Sequence, residues 1–108
     1  MTLEELKTRC EAQGFQYAYG KFFAPVEPPH LVAMQTDTDN LMADNKVWGK
    51  KTPIKLDYTY VYKNIEEQNK IEDVILSDVA WNKTDETYFE DEDCFQVSYF
   101  FELIGGND

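Results

Sequence analysis

The sequence predicts an α+β fold: one mostly antiparallel sheet with two helices on one face, in helix–strands–helix–hairpin order. Three observations point there. A capped amphipathic stretch opens the chain, two long runs alternate aromatic and polar residues near its middle and end, and a helical stripe of aliphatic residues separates those runs. With 108 residues, 43% of them hydrophobic and 15% aromatic, the chain fits one domain, residues 1–108, with a single core.

Thr2-Leu3-Glu4-Glu5 has the spacing of a capping box, in which a threonine caps the helix and a glutamate three residues on reaches back. Leu3, Leu6 and Cys10 recur at helical spacing and Gly14 supplies a stop, so a helix is expected over about residues 3–13. Phe15 to Phe22 alternates aromatics and reads as a first strand. The prolines of Ala24-Pro25-Val26-Glu27-Pro28-Pro29 lack backbone donors, which makes that stretch a connection or a sheet edge. His30 to Gln35 is a second strand, apolar enough to be central.

A long loop is expected over about 37–52, with turn chemistry at Asp37–Asn40 and no clean period from Leu41 to Lys51. Ile54, Leu56, Tyr58, Tyr60 and Tyr62 then alternate with Lys55, Asp57, Thr59 and Val61, the pattern of a half-buried strand. Asn64 and Glu67 have cap spacing for a second helix. Ile71, Val74, Ile75 and Val79 form its expected buried stripe, with Glu66, Glu67, Lys70, Glu72 and Asp73 facing water. Ala80–Lys83 leads into a strand at Glu86–Phe89, then an acidic tip, Glu90-Asp91-Glu92-Asp93. The closing strand runs from Cys94 to Leu103 with Phe95, Val97, Tyr99, Phe101 and Leu103 on one face. Residues 104–108 read as a flexible end.

The formal net charge of −11 repels phosphate and disfavours nucleic acid and anionic membranes as direct partners. No apolar run approaches the roughly 20 residues of a membrane span, and the acidic start lacks the pattern of a signal peptide, so cytoplasmic synthesis is expected. Cys10 and Cys94 have no metal-binding spacing and read as reduced, partly buried residues. His30 is the sole histidine, and Ser77, Ser98 and Cys94 lie in no nucleophile motif. The acidic stretches at Asp37–Asn40 and Glu90–Asp93 lack the glycine and distal glutamate of a calcium loop. The expectation is a protein without catalytic residues, metal or cofactor.

Exposed features suggest binding instead. Val47, Trp48, Lys50 and Lys51 pair an interface-type aromatic with local positive charge on an acidic chain. Glu90, Asp91, Glu92 and Asp93 supply the opposite charge, so neighbouring copies could join the two.

Four segments carry a family resemblance: Leu3-Glu4-Glu5-Leu6-Lys7, Pro28-Pro29-His30-Leu31-Val32, Ala43-Asp44-Asn45-Lys46-Val47-Trp48, and Phe95-Gln96-Val97-Ser98-Tyr99-Phe100-Phe101-Glu102-Leu103. Over nearly its whole length the chain resembles short morphogenesis proteins of siphophages and prophages of low-GC Gram-positive bacteria, encoded between the head–tail connector genes and the major tail protein gene. The element order is similar to that of the tail terminator of lambda-type phages, although this chain is shorter. The resemblance implies a virion structural protein at the head-proximal end of the tail: a tail-completion subunit that assembles as a hexameric ring, caps the tail tube and joins it to the head. Its implied partners are itself, the major tail tube protein and the head–tail connector proteins. Other neck or tail subunits have similar folds, and an acidic inhibitor or DNA mimic is the alternative of a different class.

Overall fold

A computed structural model describes residues 1–36 and 51–104. Helix α1, Leu3–Ala12, starts with the expected reciprocal cap. The Thr2 hydroxyl accepts from the Glu5 N–H at 3.1 Å, and the Glu5 carboxylate accepts from the Thr2 N–H at 3.0 Å. The chain turns out of α1 at Gly14, whose φ of 88° lies in the left-handed region that glycine enters without strain. Six strands follow: β1 Gln16–Tyr19, β2 His30–Gln35, β3 Lys51–Tyr60, β4 Trp81–Lys83, β5 Thr87–Phe89 and β6 Cys94–Ile104. Helix α2 lies between β3 and β4. It begins as an α-helix over Ile65–Asn69 and continues as a π-helix over Lys70–Ile75.

The strands form one sheet in the order β1-β2-β3-β6-β4, with β5 also paired to β6. All pairings are antiparallel except β1 with β2, which run parallel from Gln16↔His30 to Tyr19↔Ala33. The long β3–β6 pair, Lys51↔Ile104 to Tyr60↔Phe95, is the spine. Thus Lys51 and Thr52, expected in the loop, begin β3, and Ile104, expected in the flexible end, closes β6. β4 and β5 share the same flank of β6 end to end. Between them the Thr84 N–H donates to the Ser98 carbonyl (3.0 Å), while the Ser98 N–H donates to the Thr84 hydroxyl (3.1 Å) in place of a backbone carbonyl.

Alternation decides which face is buried. Leu31 and Ala33 of β2, Ile54, Leu56, Tyr58 and Tyr60 of β3, and Val97, Tyr99, Phe101 and Leu103 of β6 share the face covered by α1 and α2. From the helices come Leu6, Cys10, Ile71, Ile75 and Leu76, all buried. Burial pushes the Cys10 thiol up to about 12, so it stays protonated as a small apolar side chain. Both cysteines are free. Arg9 ties α1 to the end of α2, donating to the Ile75 carbonyl at 3.0 Å and to both Asp78 oxygens.

Three buried tyrosines need partners for their hydroxyls, because an unpaired buried donor is costly. Tyr58 donates to Glu67 at 2.6 Å, Tyr99 to Glu72 at 2.8 Å, and Tyr60 to Glu86. Burial, then these carboxylates, raise all three hydroxyl pKa values. Glu67 and Glu72 therefore do not simply face water, as α2's pattern suggested, but accept from beneath.

Two further expectations are corrected. Val74 is 45% exposed, not part of the buried stripe, because the turn from Ile71 to the Leu76 N–H closes at i+5 (2.9 Å) and rotates Leu76 inward instead. Tyr62 is 85% exposed, since β3 ends at Tyr60 and the chain is already turning toward the Asn64 cap.

Candidate interaction groove

The opposite face of the sheet carries Val32 and Met34 of β2, Lys55, Asp57 and Thr59 of β3, and Gln96, Ser98, Phe100 and Glu102 of β6. Among the described residues Met34 and Phe100 on it remain exposed. Its centre is polar: Ser98 donates to Asp57 at 2.6 Å, and the Lys55 ammonium lies 3.8 Å from the same carboxylate.

At one end this open face becomes a groove. Parallel strands cannot be joined by a hairpin, so the chain must travel back from the end of β1 to the start of β2. Gly20, at φ 89°, turns it off the sheet. Pro25, Pro28 and Pro29 keep residues 20–29 out of any ladder, leaving them as a strap across the open face. Gln16, on that face by its register with His30, fastens the strap: its amide donates to the Glu27 carbonyl at 2.8 Å and the Pro29 carbonyl at 3.1 Å. Phe22 sets its ring edge-on to His30, with centroids 5.3 Å apart.

The strap residues Pro25, Val26, Glu27 and Pro28 form one wall of a groove of about 700 Å³. The floor is His30, Thr59, Gln96 and Cys94, with the Gln96 amide donating to the Thr59 hydroxyl at 3.4 Å. Phe89 and Glu92 make the second wall. The turn that carries Glu92 is held by its N–H donating to the Phe89 carbonyl (3.2 Å), by Asp93 at φ 53°, and by the Tyr88 hydroxyl donating to Asp93 at 2.8 Å.

His30 and Cys94 thus share a groove, and their chemistry can be tested. His30 pairs with Thr59, and Thr59 in turn with Gln96, so the imidazole stands two strands away from β6. Burial lowers the His30 pKa against the opposing pull of Glu92, and its Nδ1 is buried without a hydrogen-bond partner. The Cys94 thiol is raised by burial and by the neighbouring Glu92 carboxylate, to which it donates at 3.8 Å. A nucleophilic cysteine needs the reverse: a lowered thiol pKa and a hydrogen-bonded base. Among the described residues no set of three His, Cys, Asp or Glu side chains is placed to hold a metal ion. The groove has apolar walls, hydrogen-bonding groups on the floor and a carboxylate on each side.

Of the interface residues expected from the sequence, Lys51 and the acidic tip fall at opposite ends of the β3–β6 spine. Glu90, Asp91, Glu92 and Asp93 form the exposed β5–β6 turn, beside the Tyr60↔Phe95 end, and Glu92 lines the groove. Val47, Trp48 and Lys50 lie outside the described residues, as does the acidic turn at Asp37–Asn40. Lys51 begins β3 at the far end, paired with Ile104. Sequence reasoning did not single out Glu27, Phe89, Thr59 or Gln96. The pairing of Thr59 and Gln96 across two alternating strands was the available signal, but the strap that makes their face a groove depends on the parallel β1–β2 pairing.

Comparison with models of known protein families and with curated protein sequences finds no match for this chain. Among the described residues no helix is long and apolar enough to cross a membrane.

Proposed function

We propose that this protein is a phage tail-completion subunit, a tail terminator that self-assembles as a ring, caps the tail tube and meets the head connector, and that it works by binding without catalysis. One observation carries the proposal: the sheet spends one face on its own helices and, among the described residues, keeps the other, grooved and partly apolar, available for contact. Met34 and Phe100 on that face, and Phe89 at the groove wall, are exposed in the single chain. The resemblance in sequence and element order supplies the phage setting. The net charge of −11 suits a passage that must not grip DNA phosphates.

Electron microscopy of particles made without the gene tests this. Overlong tails, or tails detached from heads, are the expected result. Particles of normal length and normal attachment would remove the tail-completion role. Sedimentation of the purified protein separates this reading from an acidic DNA mimic. The mimic would remain a small solitary species and bind basic proteins with a steep loss of affinity in salt.

A further inference from the structure

The groove has a polarity of its own. Its walls bring Glu27 on the strap and Glu92 on the β5–β6 turn to either side of an apolar surface made by Pro25, Val26 and Phe89. Among the described residues no lysine or arginine lines it, and burial favours the neutral imidazole of His30. Such a cleft suits an extended segment with a large apolar side chain flanked by cations, and it rejects phosphate and carboxylate.

The cations of the chain identify the segment. Arg9, Lys55, Lys63 and Lys83 already meet Asp78, Asp57, Glu86 and Glu72 in ion pairs. The one stretch that joins several cations to an aromatic, with no acid among them, is Lys46-Val47-Trp48-Gly49-Lys50-Lys51. Chain geometry decides whose groove it can enter. Lys51 is fixed at one end of β3, opposite Ile104, while Thr59 on the groove floor is eight residues farther along that strand. At a strand rise of about 3.3 Å that separation is roughly 26 Å. Trp48 lies three residues before Lys51 and Lys46 five, which allows at most about 11 Å and 18 Å of backbone reach. Neither backbone reach spans the distance to Thr59 of its own chain.

We infer that the groove between the strap and the β5–β6 turn receives residues 46–51 of a neighbouring copy. Lys51, where the donor segment joins β3, and the groove sit at opposite ends of the sheet, so the contact is head-to-tail: each copy gives one segment and takes one. Contacts of that kind close into rings when the rotation allows. The inference rests on the ring-forming reading above and names the surfaces that would join its copies.

The test uses a fluorescein-labelled peptide of residues 44–53 titrated onto the full-length protein and read by anisotropy. Saturable binding that weakens several-fold between low and high salt is expected. The charge-reversal variant E27K/E92K, altered only at exposed side chains, should lose on the order of ten-fold in affinity with its melting temperature within about 2 °C of the parent. A peptide carrying Trp48→Ser should bind more weakly to the parent protein. Should the double variant fold poorly, Phe89→Ser asks the same question from the apolar wall. No binding of the peptide, or equal binding by the parent and a folded groove variant, overturns the inference. Peptide binding alongside normal particles from the deleted gene would sink the tail reading alone. Overlong tails without peptide binding would sink the groove contact alone.

Discussion

The two faces of the sheet are built from alternate residues of the same strands, yet they are constructed on different terms. On the helix side Leu31, Leu56, Tyr58 and Tyr99 are fully buried, and these two tyrosines each meet a carboxylate from α2 at the hydroxyl. On the open side the neighbours of those residues are Val32, Asp57, Thr59 and Ser98; Ser98 donates to Asp57, the Gln96 amide donates to Thr59, and the strap covers one end. One face specifies the fold. The other, among the described residues, is covered only at its strap end.

Truncation should separate them most sharply. Leu56→Ala removes a wholly buried side chain at the centre of the helix face and should cost about 2–5 kcal/mol in urea unfolding. Phe100→Ser, at a 37% exposed position on the other face, should stay within about 1 kcal/mol while reducing self-association measured by sedimentation. Equal destabilisation by the two would erase the distinction.

Tyr99→Phe sharpens the comparison within the buried face. It keeps the ring against Trp81 and deletes only the hydroxyl that donates to Glu72. A loss of roughly 1–2 kcal/mol is expected, less than for Leu56→Ala, because Glu72 keeps its contact with Lys83 at 2.7 Å.

Acid should give the smallest effect. The Arg9 guanidinium holds the Asp78 carboxyl below its usual 3.8, and the Tyr60 hydroxyl holds Glu86 below 4.5. Carboxylates depressed in the folded state stabilise it above their unfolded pKa values and lose that contribution as pH falls through the folded ones. Stability should therefore begin to fall below about pH 4.5 and continue falling below 3.8. Both groups are well exposed, so each is worth only about 0.5 kcal/mol. Arg9→Met should flatten part of that slope in urea midpoints measured across the acid range.

The sequence made the buried face readable because period and chemistry agree there. The capping box at Thr2 and Glu5, the limits of β2, and the alternation of β3 and β6 all rest on local signals, and the structure bears them out. Features that depend on partners distant in sequence were not readable. Val74 looked buried at α-helical spacing and is exposed because the helix widens to a π turn over Ile71. Phe22 looked like the end of a strand and instead packs on His30, since Gly20 has already led the chain off the sheet. The groove was least legible. Glu27, Phe89 and Thr59 come from three separate elements, and only a parallel pairing of β1 with β2 lays the strap over Thr59's side of the sheet.

Thr84 gives the molecule a further property. By lending its hydroxyl to the Ser98 N–H, it cuts what could have been one straight outer strand into two pieces of three residues each, β4 and β5. A stray strand from another molecule finds no template there long enough to zip along, and at the other margin β1 offers only four residues. Edges this short give little purchase for cross-β stacking between chains.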